Sequence, residues 1–106
     1  MNATRAKVWV IDRRDNAGTV VGGDVTGPMA VAIVGGMSGA LELWQPVPYG
    51  HKVALANLSA GTPVIKYGCV IGRLSADVRK GEHLHSHNLE SLRGRGDLAA
   101  GSGTAG

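Results

Sequence analysis

Three of the four histidines fall in one stretch, Gly81-Glu82-His83-Leu84-His85-Ser86-His87-Asn88. If that stretch is extended, His83, His85 and His87 lie on one face and Leu84, Ser86 and Asn88 on the other, because side chains alternate along a strand. Three imidazoles on one face make a poor apolar core. They make a good surface for holding a divalent metal or moving protons. Residues two apart along a strand are about 6.5–7 Å from each other, within reach of a common ion. A bare HxHxH pattern fits a solvated strand end equally well. The fourth histidine, His51, stands with Lys52 just after the Pro48-Tyr49-Gly50 turn. Lys52 and Lys66 lie inside the apparent strand framework; they suit carboxylate binding or proton transfer, and ordinary strand-surface lysines fit as well. Tyr67 is expected to pack in the core with its hydroxyl hydrogen-bonded. Cys69 reads as a small buried side chain with no charged neighbours to activate it, and Asp15-Asn16 as a polar turn. No Ser-His-Asp spacing is present, and Gly35-Gly36 precedes no helical pattern, which argues against a phosphate-binding loop.

The elements that must hold these residues are short. Apolar runs occur at Val8–Ile11, Val20–Val21, Met29–Val34, Leu41–Trp44, Val53–Ala56, Val64–Tyr67 and Val70–Leu74. Each is rich in β-branched residues and bounded by Gly, Pro, Asn or Asp, the pattern of strands. Windows of helical length are all interrupted by Gly or Pro, so at most a single helical turn is expected, near Ser75–Val78 or Asn57–Ala60. A local pattern recurs in Val47-Pro-Tyr-Gly50-His-Lys-Val53, Leu58-Ser-Ala-Gly61-Thr-Pro-Val64 and Val78-Arg-Lys-Gly81-Glu-His-Leu84. It reads as an anchored apolar residue, a turn with Gly at positive φ, and the first apolar residue of the next strand. The expectation is a compact all-β domain with repeated corners.

A chain of 106 residues fits one domain. We expect a lead-in at 1–6, a folded part at 7–92 and a Gly-rich tail at 93–106. With two Trp, two Tyr and no Phe, the core must come from Val, Ile, Leu and Ala. The 17 glycines exceed twice the usual share of about 7%. A net charge of +3, spread along the chain, is too small for a nucleic-acid footprint. The single cysteine forms no internal disulfide, and the N-terminal apolar run is too short for a signal peptide or membrane span. A cytoplasmic location with no membrane partner is expected.

The blocks Gly50-His51-Lys52-Val53-Ala54-Leu55, Val64-Ile65-Lys66-Tyr67-Gly68 with Ile71-Gly72, and Gly81-Glu82-His83-Leu84-His85-Ser86-His87-Asn88 resemble the small SAF-type β-clip domain of the altronate/galactarate dehydratase family. The similarity covers about residues 7–90 and is most specific in the last two blocks. Asp15-Asn16 resembles the turn near the start of those domains. The resemblance implies a β-clip fold and a small subunit of a two-chain lyase that dehydrates a sugar acid to a 2-keto-3-deoxy acid, nearly inactive without its large subunit. It further implies a divalent metal, Fe2+ or Mn2+. His83, His85 and His87 are then the expected metal ligands, His85, His87 and Lys52 the expected catalytic residues, and His51, Lys66 and Asn88 the expected substrate contacts. The small subunit of sulfolactate sulfo-lyase shares the histidine motif and is the alternative, as is a non-enzymatic carbohydrate-binding module. Homo-oligomerisation is compatible with either.

Overall fold

The computed structural model describes residues 5–91. They form nine strands: β1 (Lys7–Val10), β2 (Ala17–Val21), β3 (Met29–Gly35), β4 (Gly39–Leu43), β5 (Lys52–Ala54), β6 (Pro63–Lys66), β7 (Cys69–Leu74), β8 (His83–Leu84) and β9 (Leu89–Ser91). The all-β expectation holds, and every apolar run of the sequence contains a strand. No helix forms among the described residues, and none there is long and apolar enough to cross a membrane. The expected boundary between lead-in and domain falls just inside the described part, where Ala6 already packs in the core. Residues 1–4 and 92–106, which hold the end of the expected domain and the expected tail at 93–106, lie outside it.

One sheet runs in the order β4-β3-β1-β2-β5-β8 and the other β6-β7-β9. Every pairing is antiparallel except that of β1 with β3. Alternation along β1 buries Val8 and Val10 and exposes Lys7 and Trp9. One core cluster gathers Val8, Val10, Val20, Leu41, Leu43 and Val53 between strands of the large sheet; the other joins Ala17, Ala54, Val64, Leu74, Val78 and Leu84. Burying each of the larger side chains stabilises the fold by about 1.5–3 kcal/mol relative to exposing it. No aromatic side chain contributes to either cluster: Trp9, Trp44, Tyr49 and Tyr67 are all exposed. Tyr67 therefore does not pack in the core as expected, and Cys69 is exposed instead of buried. Both sit at the turn joining β6 to β7, where the two-residue connection leaves little chain to cover them.

The repeated corners are present. Gly50, Gly61 and Gly81 have φ of 85°, 88° and 87°. Their amides donate to Val20, Leu74 and Ala54 carbonyls at 2.8 Å each. The residue before each glycine is capped by an Asx side chain at 2.8 Å: Tyr49 N by Asp24, Ala60 N by Asp77, and Lys80 N by Asn57. Each corner begins at a single-residue β-bridge, Val25 with Val47 for the first and Leu58 with Val78 for the other two. The segments where a helical turn was conceivable, Asn57–Ala60 and Ser75–Val78, are thus paired to each other, since one bridge and two reciprocal Asx caps satisfy their backbone better than an isolated turn.

Asp15 and Asn16 do more than shape a local turn. The buried Asp15 carboxylate accepts from Asp12 N at 3.1 Å and from Gly68 N at 2.8 Å. Asn16 accepts from Ile65 N at 2.7 Å and donates to Pro63 O at 3.0 Å. The loop between β1 and β2 is thereby tied to the β6–β7 hairpin, joining the two sheets.

Candidate functional site

The histidine stretch is a strand end followed by a turn. His83 and Leu84 form β8, paired with Lys52 and Val53 of β5, and residues 85–88 turn into β9. The buried Asn88 side chain makes this turn: its Oδ1 accepts from His85 N at 2.9 Å and its Nδ2 donates to His83 O at 3.0 Å. The His85 carbonyl accepts from both Asn88 N and Leu89 N. Full extension across 83–88 would break these bonds and leave a buried amide unsatisfied. Leu84 is buried as alternation predicts, whereas Ser86 is exposed with the imidazoles. Asn88, expected as a substrate contact, has its amide committed to the turn.

The turn draws in the distant His51. Corner geometry sets His51 next to β8: its Nδ1 lies 2.9 Å from His83 Nε2. Its ring stacks on His85 at 4.5 Å between centroids, and His83 and His85 stack at 5.5 Å. His87 meets His83 at 5.7 Å with a tilted ring. His51, His83 and His85 each offer a ring nitrogen, all within 4.8 Å of one another. All four histidines thus gather, with His51 in the tight trio and His87 at its margin. Lys52 opens β5 opposite Leu84, one register position from the His83 pair. Lys66 lies in the second sheet, its Nζ 3.8 Å over the Tyr67 ring.

Gln45 belongs to this site although no pattern in the sequence marked it. Its Oε1 accepts from His83 N at 2.8 Å, a contact spanning 38 positions of chain. Only the fold brings the two together. A groove of about 750 Å³ lies on the β3–β4 side between Ala30, Ala40, Trp44 and Arg79, and none of the histidines lines it. Ring chemistry marks the candidate centre better than concavity does, since the histidines cluster outside that groove.

Partial burial pushes the His83 imidazole below its ordinary 6.5, and the neighbouring His51, His85 and His87 add to the effect by repelling a positive charge. Both effects favour the neutral ring of His83, whose lone pair can serve a metal or a proton. The unfolded chain binds the His83 proton more readily than the folded one. Stability from this group is therefore present above about pH 6.5 and is lost as pH falls through the depressed folded value. Melting temperature should fall from about pH 7.5 to about pH 5, and His83→Asn should flatten that slope. An unchanged slope in the variant would assign the pH dependence to other groups.

Residues 6–92 match the family model for the altronate/galactarate dehydratase SAF domain. The chain is 42% identical over 52 residues to (2R)-sulfolactate sulfo-lyase subunit alpha of Chromohalobacter salexigens, covering 49% of this chain and 55% of that subunit. It is 49% identical over 47 residues to the subunit of the same name from Paracoccus pantotrophus, covering 44% of this chain and 70% of that one. Similarity to altronate dehydratase of Escherichia coli is 50% identity over 51 residues, 48% of this chain and 10% of that enzyme. The chain thus matches about half the length of the first of these relatives and a small fraction of the last.

Proposed function

This chain belongs to the altronate/galactarate dehydratase SAF-domain family, and on that premise we propose that it is the small subunit of a two-chain, metal-dependent lyase. The leading substrate is a sugar acid, dehydrated to a 2-keto-3-deoxy acid. The observation that carries the proposal is the trio of ring nitrogens of His51, His83 and His85 within 4.8 Å on an open surface. Three imidazole nitrogens fit a first-row divalent cation, and on donor chemistry alone they favour Fe2+ over the more oxygen-loving Mn2+. Such an ion would supply Lewis acidity for the charge that develops on a substrate carboxylate. Further donors would come from substrate, water or a larger partner, since the trio is half-buried to exposed.

The reaction class is elimination: a proton leaves the carbon α to a carboxylate and a group departs from the β carbon. With His51, His83 and His85 engaged as ligands, His87 at the margin of the trio, 5.7 Å from His83 between ring centroids, is the imidazole left to accept that proton. Lys52, one register position away on β5, supports a substrate carboxylate. Gln45 and Asn88 fix the backbone on which His83 and His85 stand. A free, exposed Cys69 suits a reducing cytoplasm.

Sulfolactate is the second reading, favoured because two relatives are named as separate sulfo-lyase alpha subunits. The test is to isolate the chain with its co-purifying large lyase chain, load Fe2+ or Mn2+, and assay a panel of hexonic and hexaric acids beside (2R)-sulfolactate. Formation of 2-keto-3-deoxy acids supports dehydration, and sulfite release moves the assignment to the second reading. If the metal-loaded pair eliminates nothing from either class, the lyase proposal falls.

A further inference from the structure

Tyr67 is the only non-glycine among the described residues with positive φ, at 58°. With Gly68, φ 72°, it forms the two-residue turn between the paired Lys66 and Cys69. Turns with positive φ at both central positions favour Asn or Asp followed by Gly, and a bulky side chain there is an outlier. Core burial does not account for a tyrosine at this position, because the residue is 54% exposed. The turn is nonetheless held firmly: Asp15 Oδ1 accepts from Gly68 N at 2.8 Å. Tyr67 is thus a strained residue locked in place while more than half exposed.

Its surroundings complete a surface. Val70 is 51% exposed on the same hairpin, and Ile11 is 43% exposed on the loop that Asp15 ties to it. Beside Ile11 a cleft of about 670 Å³ is bounded by Asp12, Arg13, Arg14 and Gly36. Arg14 is fixed there by paired bonds of 2.9 Å to both Asp12 carboxylate oxygens. Lys66 stands over the Tyr67 ring. Tyrosine and arginine around a small apolar patch are the composition of interface anchors.

We propose that the β6–β7 hairpin tip and the loop after β1 form the docking surface for the large lyase chain, with Tyr67 as its anchor. The inference rests on the two-chain reading above. Relatives named as alpha subunits imply a partner chain, and the patch selects one with an acidic surface, because Arg13, Arg14 and Lys66 outnumber the two acids there, Asp12 and the buried Asp15. A second copy is disfavoured: a two-fold contact would set these cations against themselves.

The experiment compares wild type with Tyr67→Asn, Tyr67→Phe and Arg13→Glu, using the large chain that co-purifies with the wild-type protein and is identified by its mass as a lyase subunit. Asn accepts positive φ, so Tyr67→Asn should melt no lower than wild type while binding the large chain at least about tenfold more weakly. Tyr67→Phe should bind nearly as wild type, and Arg13→Glu should slow association and reduce its salt dependence. Metal binding should be unchanged in all three. Undiminished binding by Tyr67→Asn overturns the docking surface while leaving the two-chain reading intact. A wild-type dimer abolished by Tyr67→Asn puts a second copy on the patch and overturns it too. Recovery of wild type with no large chain removes the two-chain reading, and this inference with it.

Discussion

Replacing His83 with Ala is expected to weaken binding of a divalent cation by about a hundredfold or more, the upper end of what loss of even an outer-shell partner costs a metal site. His51→Ala and His85→Ala should do the same, because all three contribute to the set of nitrogens within 4.8 Å. His87→Ala should have a smaller effect, since among the described residues its ring meets His83 alone, at 5.7 Å. This ordering separates two assignments of the metal ligands. A set of His83, His85 and His87 follows from alternation on a strand and makes His51→Ala harmless; a set with His51 follows from the turn and makes it severe. Calorimetric titration of each variant with Fe2+ under anaerobic conditions, and with Mn2+, reads the difference directly. Half-buried and exposed imidazoles contribute little packing, so stability should move by only about 0.5 kcal/mol. Equal affinities for wild type, His51→Ala and His83→Ala would eliminate the site.

The reason alternation does not bring out His51 is physical. Period-two reading needs an unbroken strand, and β8 is two residues long because Asn88 turns the chain back onto the carbonyl of His83 and the amide of His85. An Asn three residues after a histidine is a visible turn former in the sequence, and it is the signal that competes with extension at 83–88. His51 had no local signal, because its proximity to His83 depends on β5 pairing with β8 across some thirty residues. The corners were legible for the opposite reason. The three glycines with φ near 87° are local requirements that any sequence of this fold must meet in place. Their Asx caps, Asp24, Asn57 and Asp77, were not, since each bonds an amide far along the chain. Tyr67 was misread as core because apolar character predicts burial only where another element is available to cover it.

The second large effect concerns Gly81, and the three equivalent corners provide their own control. Gly50, Gly61 and Gly81 share φ of 85°, 88° and 87°, so an alanine at each meets the same backbone penalty. That penalty is about 1–2 kcal/mol for an L-residue in the left-handed region. At Gly50 and Gly61 a new Cβ would meet nothing within 4 Å, and the penalty should stand alone. At Gly81 the Cβ would fall 2.2 Å from the backbone carbonyl oxygen of Glu42. A carbonyl of β4 cannot swing aside as a side chain can, because β4 is paired along its length with β3. Either the third corner separates from β4 or the strand bends. Gly81→Ala should therefore lose clearly more than Gly50→Ala or Gly61→Ala, about 3 kcal/mol or above when strain and overpacking add. Denaturant midpoints for the three variants measure the difference, and equal losses would show that the corner yields at no extra cost. The same displacement reaches the site, because Gly81 stands two residues before His83, whose amide is held by Gln45 just beyond β4. A folded remnant of Gly81→Ala should accordingly bind metal more weakly than Gly61→Ala of matched stability, making the corner glycine a positioning residue for the histidines as well as a requirement of the fold.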